Sequence, residues 1–158
     1  MIPIDLSLDG QTAHLAGVME VGVCNEVCVP VSLDFSADLP TGDDRDPMIV
    51  AALVDRPLTA EEAGASATCA MAPEADGLGL TVHLALTSLG LNETVVIESG
   101  DPSLWISEAV SARNEGTLAA SAQALSRDGG PPALDRSQIR ITVLGEGRAV
   151  EFQGCQAG

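Results

Sequence analysis

The chemistry open to this chain begins with four cysteines, Cys24, Cys28, Cys69 and Cys155. An even number suits two disulfides and an oxidising compartment. Three pairings are open in principle. Cys24 and Cys28 sit in Val23-Cys24-Asn25-Glu26-Val27-Cys28-Val29-Pro30, where three intervening residues let two thiols meet across a tight turn. That pairing leaves Cys69 with Cys155. A ring as small as the first yields little stabilisation, because the benefit of loop closure grows with the length closed. A local bond of this kind makes more sense as a reversible redox centre than as a staple. In such a centre a thiolate attacks a disulfide sulfur, a mixed disulfide forms, and the second thiol resolves it. A Cys69–Cys155 bridge would instead close most of a domain, worth on the order of 4–5 kcal/mol in the chain-entropy model. It reads as structural, with a second redox pair as the alternative.

The neighbours of the close pair are acidic. Glu20 and Glu26 lie near it in sequence, and no Lys or Arg does. Negative charge disfavours thiolate, which argues for a carrier that reacts when docked and against an aggressive oxidase. The competing readings are an inert disulfide, two buried thiols, or a metal site. Cys-x3-Cys is not the usual zinc-knuckle spacing, and no second close Cys/His pair completes four ligands. His14 and His83 read as ordinary strand residues, Trp105 as core, and Asp43, Asp44, Arg45 and Asp46 as a solvated linker. Gly-x-Ser-x-Gly, His-Glu-x-x-His and phosphate-loop motifs are all missing from the sequence. No cofactor or metal is expected.

The 158 residues carry a formal charge of −16, with seven Arg and no Lys. Eight acids precede Arg45, the first basic residue. Such a surface repels phosphate backbones and anionic lipid, so neither nucleic-acid nor membrane-surface binding is expected. No apolar run approaches the ~18–20 residues that span a bilayer, so no direct membrane insertion is expected either. Met1-Ile2-Pro3-Ile4-Asp5-Leu6 reads like an internal strand rather than a secretory signal; the expectation is either a fragment or a start that lies inside a longer reading frame.

The elements that must position the cysteines read as strands. Hydrophobic residues are 46% and aromatic ones 2%, so the core must come from Val, Leu, Ile and Ala. Residues 2–8, 14–23 and 29–35 form three strand candidates, with the cysteine pair between the second and third. Asp46-Pro47 fits a helix start, with Met48 to Val54 following. Leu58 to Gly64 is either a helical turn or a linker. Seven further candidates follow at roughly ten-residue spacing, the pattern of an all-β sandwich: 67–72, 78–86, 93–98, 105–112, 118–125, 139–144 and 149–153. The Ala-rich run 118–125 would suit a helix as well. The expected division is 1–40, a partial β unit carrying the cysteine pair; 41–65, a linker with a short helix; and 66–158, a second β-sandwich.

Residues 15–31, Leu-Ala-Gly-Val-Met-Glu-Val-Gly-Val-Cys-Asn-Glu-Val-Cys-Val-Pro-Val, resemble the end of the periplasmic amino-terminal domain of the DsbD thiol–disulfide interchange family, in particular its ScsB-like branch. There a strand leads through Val-Cys-x3-Cys-x-Pro into another strand. Fainter likeness to a second periplasmic β-domain of such proteins lies in Asp101-Pro102-Ser103-Leu104-Trp105, in residues 140–145 and in Ala149-Val150-Glu151. The resemblance implies an immunoglobulin-like fold and a periplasmic location. It implies electron flow from a membrane-embedded DsbD-like domain, through Cys24 and Cys28, to periplasmic thioredoxin-like proteins. It also assigns Cys28 the mixed disulfide and Cys24 its resolution. The upstream half of the first sandwich, with the segments that would shield the pair, has no counterpart here, so the chain reads as one relay module. The rival reading is a non-enzymatic β-sandwich adaptor whose disulfides only stabilise it.

Overall fold

A computed structural model describes Leu6 and residues 13–24, 27–39 and 46–158. The candidate strand at 2–8, except Leu6, and the acidic run Asp43-Asp44-Arg45 lie outside the described residues. The chain divides into two compact units, Met1–Asp55 and Arg56–Gly158.

The amino-terminal unit contains a long hairpin and one helix. Strand β1 (Ala13–Cys24) pairs antiparallel with β2 (Cys28–Leu39), in register from Ala13↔Leu39 to Cys24↔Cys28. Alternation along both strands places one set of pairs, including Leu15↔Ala37, Met19↔Leu33 and Val21↔Val31, on a common face. That face is half-buried in places, but no described residue of this unit is fully buried. Helix α1 (Pro47–Val54) starts where expected: the Asp46 carboxylate accepts from the Met48 amide at 2.7 Å, and Pro47 opens the first turn. Its side chains are almost all apolar, yet none is buried.

The carboxy-terminal unit is an all-β immunoglobulin-like sandwich. One sheet orders β3 (Leu58–Thr59), β11 (Arg148–Gln153), β10 (Arg140–Gly145) and β6 (Thr94–Glu98). The other runs β12 (Gln156–Ala157), β4 (Ser66–Glu74), β5 (Gly77–Ala85), β9 (Thr117–Ser126) and β7 (Leu104–Ile106), with β8 (Val110–Asn114) also on β9. Period-two patterning sends Leu80, Val82 and Leu84 of β5 inward. They meet Val95, Ile141, Val143, Val150 and Phe152 from the facing sheet in one core. Gly147, at φ +66°, supplies the left-handed residue that turns β10 into β11.

One ambiguous sequence expectation is resolved, and three others change in detail. The Ala-rich segment is a strand because β9 is central: Ala120 and Ala122 lie opposite Val82 and Leu80, small against large. Such cross-strand packing overrides the helix propensity of alanine. The candidate at 105–112 splits into β7 and β8, both on one edge of β9. Ser107 spans the break. Its amide donates to the Gln123 carbonyl at 2.9 Å, and its hydroxyl accepts from the Gln123 amide at 2.9 Å. Trp105 is 49% exposed rather than core, because Leu104 and Ile106 on either side take the inward positions. Finally, Leu58-Thr59 pairs in parallel with Val150-Glu151, and Ala60, Ala63 and Ala65 pack on the core.

Candidate functional site

The hairpin end holds the close cysteine pair. Cys24 is the last residue of β1, Cys28 the first of β2, and the two are cross-strand partners. Regular pairing up to that last rung brings two cysteine backbones opposite one another, the placement a disulfide across a hairpin end requires. Cys28 is disulfide-bonded and exposed. Asn25, Glu26 and the side chain of Cys24 lie outside the described residues.

Among the described residues, those nearest Cys28 are exposed and apolar, and acidic ones follow further along the strands. Val23, Val27 and Val29 are 60%, 74% and 57% exposed. Pro30 is exposed beside them, opposite Gly22. Beyond this step the same face carries Glu20 and Asp34, opposite Ser32 and Val18. No Lys or Arg is near in sequence.

The second cysteine pair is built differently. Cys69 and Cys155 are bonded to each other across a sequence separation of 86, with Cα atoms 5.7 Å apart. Cys69 is fully buried in β4, and Cys155 is half-buried just before β12. Backbone bonds hold the region: Cys155 donates to the Arg136 carbonyl at 3.1 Å, and Gly158 to the Cys69 carbonyl at 3.2 Å. The bond therefore ties the last residues of the chain to an early strand of the same sandwich.

His14 is not isolated. Its Nδ1 lies 2.6 Å from Asp38 Oδ1 and its Nε2 3.2 Å from Ser36 Oγ. This string has the connectivity of an acyl-transfer triad, but the His14 and Asp38 side chains are 57% and 93% exposed. Water screens such a pair, and the contact fastens the far end of the hairpin without making a site. Only knowing that β1 and β2 pair in this register would have revealed it. His83 is an exposed strand residue, and the described residues contain no cluster of three or more potential metal ligands.

Among the described residues, the one well-enclosed charge pair lies in the sandwich. Arg113 Nε and Nη2 donate to the two Glu93 oxygens at 2.6 and 2.7 Å, and Nη1 donates to the Leu86 carbonyl at 3.1 Å. Glu93 Oε1 also accepts from the Leu89 amide at 2.8 Å. The Arg113 hydrogen bonds hold the Glu93 carboxyl below its usual range against the opposing effect of burial. On the surface, Arg56 grips Glu62 with two bonds, and these lower the Glu62 pKa to about 2. Both pairs support the fold and lie on other elements than the cysteine hairpin.

No family model matches the sequence, and no curated protein does. Among solved structures the chain is similar to the crystal structure of the N-terminal periplasmic domain of ScsB from Proteus mirabilis, at a TM-score of 0.59 and 16% identity. The match covers 95% of this chain and 60% of that one, so the chain spans less than two thirds of the solved domain. What the two share is the fold. No helix among the described residues is long and apolar enough to cross a membrane.

Proposed function

We propose that this chain is a thiol–disulfide exchange module of the DsbD type, in the ScsB-like branch, with Cys24 and Cys28 as its redox pair. One observation carries the reading: Cys28 is disulfide-bonded, exposed, and registered against Cys24 at the end of a hairpin. A bond that closes a ring this small contributes little to folding, and the exposure of Cys28 favours attack by an incoming thiolate. The fold shared with a ScsB periplasmic domain supports the same reading.

In the proposed cycle, a thiolate of a membrane-embedded DsbD-like partner attacks the oxidised pair. The mixed disulfide is resolved by the partner's second thiol, which leaves Cys24 and Cys28 reduced. Cys28 then attacks the disulfide of a periplasmic thioredoxin-like protein, and Cys24 resolves that bond, so two electrons pass on. The module works in the periplasm as a component of a protein-disulfide reductase. Cys69 and Cys155 stay oxidised as a structural bridge throughout.

The reduction potential of the Cys24–Cys28 bond tests this. A value above about −300 mV is expected of an exchanging pair; a value below it marks a structural bond and the adaptor reading. In Cys24→Ser, Cys28 should accumulate as a stable mixed disulfide with its partner.

A further inference from the structure

We propose that the Cys28 face of the hairpin docks a thiol protein whose reactive cysteine lies in an apolar patch flanked by Lys or Arg, those cations seating on Glu20 and Asp34. The proposal rests on the redox reading of Cys24 and Cys28.

Cys28, Pro30, Ser32 and Asp34 share one face of β2 by alternation, and Glu20 joins them as the direct partner of Ser32. Next to Cys28 this face is low and apolar. Gly22 has no side chain, and Pro30 opposite it is exposed. A partner can therefore lie close to the hairpin here without burying an unpaired polar group.

Charge comes next, at a distance that matters. At about 3.3 Å per residue, Glu20 lies roughly 13 Å from the cysteine rung and Asp34 roughly 20 Å. Asp38, ten residues from Cys28, lies roughly 33 Å away on the same measure. A standard interface covers about 800 Å² per partner, a patch roughly 30 Å across. Starting at the hairpin end, such a patch includes Glu20 and Asp34 and stops short of Asp38.

The sign of the partner follows from what is missing. Arg45 is the only Lys or Arg in residues 1–55. Glu20 and Asp34 thus have no Lys or Arg in β1 or β2 to neutralise them, and the histidine there, His14, lies at the far end on Asp38. A cationic rim gains attraction from both, while a second copy of this chain would bring the same carboxylates and be repelled. Rim charges of this kind act on the rate of encounter more than on the lifetime of the complex.

Two cysteine peptides test the proposal, alike except that one flanks its Val-Cys-Val with Arg and the other with Glu. The readout is the rate at which each thiolate opens the oxidised Cys24–Cys28 bond. The peptide sulfur bonds to one cysteine and the other leaves as thiol. At ~0.01 M salt, where the Debye length is ~30 Å, the Arg peptide should react at least ~10-fold faster. At ~1 M salt the difference should vanish. Glu20→Gln with Asp34→Asn should remove most of it, and Asp38→Asn, which keeps an acceptor for His14, should not. Equal rates for the two peptides, or an Asp38→Asn effect as large as that of the double variant, overturn the docking proposal. The reduction potential separates the two failures. If it lies above about −300 mV, only the docking proposal falls; if below, the redox reading falls and takes docking with it.

Discussion

The two units handle hydrophobic surface in opposite ways. Every fully buried hydrophobic residue among those described belongs to the carboxy-terminal sandwich, from Cys69 to Phe152. The amino-terminal unit leaves Val18, Leu33, Met48 and Val54 at least half exposed. Two strands rarely make a stable domain alone, whereas two packed sheets do. The cysteines follow the same division. The sandwich places its pair at ends of chain far apart in sequence and partly inside the core. The hairpin places its pair on the last rung of two paired strands, with Cys28 exposed. A bridge that closes a long loop restrains the unfolded chain far more than one that closes a short loop.

The largest effect expected is on exchange. Cys28→Ser should abolish mixed-disulfide formation with thiol probes, followed by mass spectrometry of trapped adducts. The same change should leave the thermal unfolding of the sandwich within about 0.5 kcal/mol of the parent. If the sandwich lost several kcal/mol instead, the contrast between a reactive and a structural bond would break. The converse variant, Cys69→Ser with Cys155→Ser, should cost the sandwich about 4–5 kcal/mol, measured by denaturant titration. Exchange at Cys28 should persist in it under native conditions.

Side-chain truncation sharpens the contrast on a smaller scale. Ile141→Ala removes a fully buried core residue and should cost roughly 3 kcal/mol. Val18→Ala, at a site 61% exposed, should stay within about 0.5 kcal/mol. A large loss at Val18 would mean that something covers the hairpin in solution.

What was legible in the sequence tracks how local its cause is. Strands β5, β10 and β11 show in the sequence because alternation in one segment reflects one buried face. The helix start shows because Asp46 and Pro47 are adjacent. The hairpin shows because Cys24 and Cys28 sit between two alternating runs. The identity of β9 was ambiguous because an alanine run becomes a strand only when larger neighbours flank it, and Leu80 and Val82 are some forty residues away. The outward turn of Trp105 depends on which phase of a short edge strand faces the core. The His14 contacts with Ser36 and Asp38 depend on a register more than twenty residues long. The Glu93–Arg113 pair was missed for the same reason: the residues lie 20 apart, Glu93 just before β6 and Arg113 on β8.

That pair yields the subtlest test, through pH. Glu93 has its carboxyl lowered from 4.5, chiefly by the Arg113 hydrogen bonds, and its side chain is only 6% exposed. A folded-state pKa below the unfolded one means the folded chain holds the charged form more tightly. The stabilisation is therefore fully present above the unfolded value and is lost as pH falls from there through the folded pKa. The sandwich should hold its stability from neutral pH down to about pH 4.5 and weaken below it. Glu93→Gln keeps the shape but removes the charge facing Arg113, and should cost roughly 2–3 kcal/mol at neutral pH. Because Gln does not titrate, the gap between variant and parent should narrow as pH falls below about 4.5. A gap that stays constant down to pH ~2.5 would show that the ionised pair contributes nothing the neutral hydrogen bonds do not.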